Sequence, residues 1–260
     1  MVFVVIMLLR SDKHFMINNL IKNCVCGKQV DESFTEYDNA FSLYYLCSNC
    51  KFVHQKITDH NRESFINFLK NHYQREFQIR RGRVPIPDRY NKDYENAEGK
   101  FEFYNKYLVK GSKGLDVGCG TPGFLDYANG QGYECLGVEV SNEIKSDRII
   151  TGMFEDIQLE SESFEFVTMH DYIQTVLDMN IVIEKAYTIL KQDGILFIEW
   201  PVYFLSENTD NWHALESLWI SSGLEFRKFL ERKGFSTLER FELTNHTINF
   251  IMKKVTPYPI

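Results

Sequence analysis

The 260-residue chain has no apolar run long enough to cross a bilayer, which takes about 20 successive apolar residues in a helix. The run that opens it, residues 1–9, is nine residues long, and Arg10 ends it. That opening also lacks the basic start and small-residue cleavage site of a secretory signal. A buried strand is expected there, or an over-extended start with initiation at Met7 or Met16. Positive charge is in short supply: 29 Lys and Arg face 36 Asp and Glu, a net charge of −7. A broad nucleic-acid footprint rests on clustered cations, so the balance argues against one without excluding it. Arg75, Arg80, Arg81 and Arg83 are a local exception, read as a solvated helix end. A disulfide framework is missing too. Four of the six cysteines form one N-terminal cluster, and Cys119 and Cys135 lie far downstream. Such usage suits a reducing compartment, and a cytoplasmic location is expected. There is no internal repeat and no low-complexity tract. With 44% hydrophobic and 25% charged residues the composition is that of a soluble globular protein, long enough for one full-sized domain and a small one.

The most informative stretch is Lys113-Gly-Leu-Asp-Val-Gly-Cys-Gly-Thr-Pro-Gly-Phe124. It reads as the end of a buried strand, a turn carrying Gly118, Cys119, Gly120 and Gly123, and the first turns of a helix. A strand feeding a helix through glycines leaves backbone N–H groups open to a ligand. Asp116 stands two residues before the first glycine, where it would repel a dinucleotide phosphate and welcome a cationic nucleoside such as S-adenosylmethionine. Glu139 ends a second apolar strand about 20 residues on, placed to accept both ribose hydroxyls.

Further apolar strands follow at 164–169 and 194–200, with a helical pattern at 179–190 behind Asp178 as a cap. Residues 148–156 should hold the third strand and its loop. Ser222-Gly-Leu-Glu225 is a capping box for a helix that Gly234 stops. Residues 235–243 and 247–252 should close the sheet as a hairpin. Strands alternating with helices imply an α/β fold, a doubly wound Rossmann-like sheet with a terminal antiparallel hairpin.

Together Leu-Asp-Val-Gly-Cys-Gly-Thr-Pro-Gly, Gly-Val-Glu, Ser-Phe-Glu-Phe-Val-Thr-Met-His and Leu-Lys-Gln-Asp-Gly-Ile-Leu-Phe-Ile-Glu resemble a class I S-adenosylmethionine-dependent methyltransferase of the type 11 kind, over residues from about 100 to 254. The resemblance implies S-adenosylmethionine as cofactor, held by Asp116, Gly118, Cys119, Gly120, Gly123, Glu139 and His170. It puts the adenine at the loop of Met153 and Phe154, where the family often has an acid and then a small residue; Phe154 is expected to stack on the base, with Glu155 or Asp156 for the exocyclic amine. The family often has Glu-His where this chain has Gln174-Thr175. His170, Asp171 and Tyr172 follow the fourth strand, whose end faces the ligand crevice.

Upstream, Cys24-Val-Cys26-Gly27 and Cys47-Ser-Asn-Cys50 form two close pairs, the arrangement of a structural zinc site with four protein ligands and no open position. Asn23 occupies the place expected for the first cysteine, so His54 or His60 stand as substitutes for Cys24. The organisation expected is a zinc-ribbon-like segment over 1–58, a helical linker over 59–95, with a helix at 59–80 and a break at 83–88, and a methyltransferase domain over 96–260. The long loop 201–215, with Tyr203, Asn208, Asp210, Trp212 and His213, has the length and place of a functional loop.

Methyl transfer is an in-line displacement that mainly needs alignment, with a base where the acceptor must lose a proton. His170, His213 and Asp171 are the candidates, and for each histidine a hydrogen-bonded wall role weighs equally. Zinc knuckles before such a core resemble sugar methyltransferases, so the acceptor expected is a small molecule, a sugar or sugar nucleotide, methylated on O, N or C. An rRNA or tRNA methyltransferase and a non-catalytic scaffold are the other readings.

Overall fold

A computed structural model of the chain describes residues 24–28, 35–39, 42–55, 79, 88–201, 217–244 and 247–256. The expected elements over residues 1–9, 59–80, 83–88 and 201–215 lie outside these, apart from Ile79, Asp88 and Pro201, and so do Arg75, Arg80, Arg81, Arg83, His60 and His213.

Two sheets organise the molecule. The small one holds β1 (Thr35–Asn39), β2 (Ser42–Leu46), β3 (Val53–Gln55) and β9 (Trp219–Ile220), in that order and antiparallel throughout. The large one holds β4 (Lys113–Val117), β5 (Glu134–Glu139), β6 (Ile149–Thr151), β7 (Phe164–Met169), β8 (Leu190–Pro201), β10 (Phe235–Thr244) and β11 (Thr247–Lys254). Its order is β10-β11-β8-β7-β4-β5-β6: five parallel strands from β6 to β8, closed by the antiparallel hairpin. The doubly wound reading with its terminal hairpin is therefore correct.

The central strands are apolar because both of their faces are covered. On one face helices α1 (Tyr90–Tyr104) and α2 (Gly123–Gly130) bury Ala97, Phe101, Tyr104, Phe124 and Leu125 against Phe166, Phe197 and Ile251. On the other, α3 (Met179–Ile189) and α4 (Gly223–Arg232) bury Val182, Ile183, Phe226 and Phe229 against Leu196, Trp200 and Phe250. The expected caps hold. The Asp178 side chain accepts from the amides of Asn180 and Ile181, and Ser222 accepts from Glu225. The capping box is half made, because the Glu225 carboxylate pairs with Lys228 at 3.1 Å.

Three boundaries differ from expectation. The apolar positions Phe101, Tyr104, Tyr107 and Leu108 predict a helix over 96–109, whereas helix α1 begins earlier, at Tyr90, and ends at Tyr104. Its first turns are polar and largely exposed, so they carry no apolar pattern. Strand β8 takes over at Leu190, directly from α3; Lys191-Gln-Asp-Gly194, which the sequence predicts as a turn into the strand at 194–200, is an irregularity within it, with Asp193 at φ 64°. The small sheet takes its fourth strand from residues 219–220, and Phe52 beside it packs edge-on to Trp200 and Phe229, each at 6.0 Å.

Candidate functional site

The glycine turn joins β4 to α2, and two of its glycines have a physical reason. Gly118 sits at φ 73°, and a Cβ there would lie 2.6 Å from the Tyr172 ring. A Cβ on Gly123 would lie 2.5 Å from the Tyr90 carbonyl oxygen, so this glycine lets α1 pass directly over the turn. The amides themselves are not left open. Gly118 and Cys119 both donate to the Val138 carbonyl, and Gly120 donates to Glu139 Oε2 at 2.9 Å. The turn is thus stitched to β5, and its chemistry toward a ligand rests on carboxylates more than on free N–H groups.

Those carboxylates come from neighbouring strands and from helix α1. Glu139, 3% exposed, also accepts from the Ser141 amide at 2.9 Å; burial pushes its pKa up, and the Asp116 charge adds to the rise. Asp116, 2% exposed, accepts from the Thr168 hydroxyl at 2.6 Å. Asp93 on α1 accepts from the Thr121 hydroxyl at 2.8 Å, and burial raises its pKa as well. Glu199 on β8 is pushed up by burial, but Lys100 at 3.0 Å and then His170 outweigh that, so its net shift is downward. Four shielded acids against one close lysine make a donor set that fits a positively charged ligand and does not fit a pyrophosphate.

His170 lies at the end of β7 within this group. Its Nδ1 is 3.3 Å from Asp116 Oδ1 and its Nε2 is 2.9 Å from the Tyr104 hydroxyl. Burial holds the Tyr104 phenol well above its usual pKa, so it stays protonated beside the imidazole. Both ring nitrogens of His170 are engaged, and to act as a base it would first have to release one of these bonds. Asp171 is exposed at φ 50° and accepts from the Gln174 amide.

The loop after β6 corrects one expectation. Phe154 is 1% exposed and belongs to the core, with Lys185 Nζ 4.9 Å from its ring centre. The ring is not offered to an adenine; Met153 and Glu155 are the half-exposed neighbours. Tyr172 spans the gap, its ring over Gly118 and its hydroxyl 3.4 Å from Glu155.

Sequence reasoning missed Tyr104, Thr168, Lys100, Asp93 and Glu199. The signal for two of them was present: Thr168 and Glu199 interrupt the apolar C-terminal ends of their strands, residues 166–169 and 195–200.

At the other end of the chain, the sulfurs of Cys24, Cys26, Cys47 and Cys50 all lie within 4.8 Å of one another. Cys24 and Cys50 are 3.3 Å apart, Cys26 and Cys47 3.8 Å. A tetrahedral zinc with Zn–S of about 2.3 Å puts its sulfurs about 3.8 Å apart, so the spacing fits. Amides of Cys26, Asn49, Cys50 and Phe52 donate to these sulfurs; the Cys50 contact still raises the pKa of Cys24, burial raises that of Cys47, and the Cys24 contact pulls Cys50 down to about 5. His54 is not part of the group: it is fully buried between the rings of Tyr45 and Trp219.

A methyltransferase-domain family model matches residues 89–240, more than half of the chain. None of the curated proteins matches it in sequence. Among solved structures, a protein from Galdieria sulphuraria assigned as a sarcosine dimethylglycine methyltransferase is similar at 15% identity and a TM-score of 0.51, over 65% of this chain and 87% of that one. A chain from the complex of the Haloferax volcanii Trm112 methyltransferase activator with a methyltransferase is similar at 14% and 0.51, over 64% and 95%. The [4+2]-cyclase SpnF is similar at 15% and 0.52, over 62% and 80%. These likenesses carry the fold, and the cyclase illustrates that one fold hosts several chemistries. Family match, sheet order and an acid-flanked glycine turn agree: the chain belongs to the methyltransferase-domain family and is a class I S-adenosylmethionine-dependent methyltransferase.

Proposed function

We propose that the enzyme methylates a small hydroxyl- or amine-bearing acceptor, with a sugar or sugar nucleotide as the favoured class. The observation that carries this is the roof over the acceptor side. Helix α1 runs from the glycine turn, through Tyr104 on His170 and Lys100 on Glu199, to Phe103 stacked on Phe241 of the hairpin at 3.9 Å. A polar row shut under a helix suits a small molecule better than a polymer, and the net charge of −7 points the same way.

In this reading Asp116 and Glu139 hold S-adenosylmethionine, with Gly118, Cys119, Gly120 and Gly123 setting the turn against which it lies. Bound there, it supplies an electrophilic methyl group on a sulfonium whose leaving group departs neutral. Asp116 faces the cationic end and Glu139 accepts from ribose hydroxyls. His170 and Tyr104 form a fixed wall that orients the acceptor and excludes water. Cys24, Cys26, Cys47 and Cys50 hold a structural zinc, and the chain divides into a zinc segment over 1–58, a linker over 59–95 and the catalytic domain over 96–260. A reducing, cytoplasmic setting suits four thiolates kept for a metal. Among the described residues no helix is long and apolar enough to cross a membrane.

The test is mass spectrometry of incubations with S-adenosylmethionine and either a panel of nucleotide sugars or total RNA. Methyl transfer to a sugar is the expected result. Transfer to RNA with a steep salt dependence would replace this reading with the nucleic-acid one.

A further inference from the structure

Asn249 on β11 is 2% exposed, and neither its Nδ2 nor its Oδ1 has a hydrogen-bond partner among the described residues. Leaving a buried carboxamide unmatched is costly, and native proteins rarely keep one without a use. Its place is informative. Asn249 stands directly opposite Glu199 in the β8–β11 register, so both side chains project from the same face. On that face Asp116, His170 and Glu199 come from β4, the end of β7 and β8, and Asn249 extends the row by one strand, all at the edge of the sheet where parallel strands end.

We infer that Asn249, with Glu199 and Lys100 beside it, is a recognition subsite for the methyl acceptor that takes adjacent neutral hydroxyls. The carboxamide offers a donor and an acceptor together, and a vicinal diol returns both from two neighbouring atoms. An anionic group would meet Glu199, and the cationic place next to Glu199 is already held by Lys100 at 3.0 Å. A nucleobase could also match a carboxamide edge, but it needs an open aromatic face. Phe103 and Phe241 are stacked on each other at 3.9 Å, and Tyr104 on Phe197 at 3.8 Å, so these faces are taken. The subsite rests on the sugar reading proposed above and gives it a contact.

The experiment compares wild type with Asn249→Leu and Asn249→Ala, using S-adenosylmethionine affinity by calorimetry, thermal melts, and methyl transfer to nucleotide sugars and to RNA. For both variants we expect cofactor affinity within twofold and kcat/KM on the accepted sugar lower by about 30-fold or more. Asn249→Leu, which removes the unmatched amide and keeps the branched shape and number of side-chain heavy atoms, should melt at or above the wild-type temperature, whereas a purely structural asparagine would make both variants less stable. Wild-type transfer to sugars, with Asn249→Ala within threefold of it, overturns the subsite alone. Loss of stability in both variants, with cofactor affinity falling in parallel, also overturns it alone. Wild-type transfer to none of the sugars overturns the sugar reading and the subsite with it.

Discussion

Glu139 takes two backbone amides, from Gly120 and Ser141, and so frames the turn before any ligand arrives. Replacing it by Gln keeps the shape but puts an N–H group against one of those donors. We expect Glu139→Gln to weaken S-adenosylmethionine about 10- to 100-fold in calorimetry, the range for losing hydrogen bonds to a charged group; unchanged affinity would remove Glu139 from the cofactor site. A second residue governs acid stability. His54 is fully buried, and desolvation pulls its pKa down to about 4. The folded protein therefore keeps this ring neutral while the unfolded chain takes up a proton near pH 6.5, so stability is intact above that pH and is lost as pH falls toward about 4. The loss should reach about 3 kcal/mol by about pH 4, and melts of His54→Phe against pH should lack it. At this scale the sequence was readable where a polar residue breaks an apolar pattern, as at Asp116 and Glu139. Phe154 was misread because an aromatic side chain in a loop can turn to either side of its backbone, and the core claimed it.

Helix α1 depends on one missing side chain. Gly123→Val would push a branched Cβ into the Tyr90 carbonyl, 2.5 Å from where the Cβ must sit, and backbone cannot move aside as a flexible side chain can. The helix should shift with its inner-face residues Lys100 and Tyr104. We expect turnover to fall about 100-fold, the scale of an ångström-sized misplacement, while circular dichroism reports a folded protein; activity within a few-fold of wild type would show that α1 does not set the site. Elements with strong local signals were legible. Caps at Asp178 and Ser222 and the apolar runs of β5 and β7 need no partner to be recognised. The start of α1 was not, because exposed Tyr90 and Tyr94 carry no apolar period. The two-residue strand β9 was invisible for a stronger reason: it has no period at all, and its partner β3 is far away in sequence.

For the whole molecule, the consequence of β9 is that the small sheet takes a strand from the sequence between β8 and α4 and shares a core with the large sheet. Tyr45, Phe52 and Trp219 are buried together with Trp200 and Phe229, and the Trp219 indole donates to the Val176 carbonyl at 2.8 Å. Metal analysis of the purified protein should return one zinc per chain. Stripping it with a chelator should lower the single melting transition by at least about 10 °C, since structural zinc contributes folding free energy directly, with a red shift of tryptophan fluorescence as Trp200 and Trp219 become wet. Two separate transitions, with the catalytic one unmoved, would mean that the sheets fold independently. Local patterning alone settled the fold class, the acid-flanked glycine turn and the four-cysteine cluster, because strand runs, glycine turns and paired thiols write their physics within a few neighbouring residues. Only the folded chain decided that His170 is bonded at both nitrogens, that Phe154 faces inward, that Asn249 joins Glu199, and that the small sheet borrows a strand. Each of these depends on residues distant in sequence meeting at one point, and no local period encodes such a meeting.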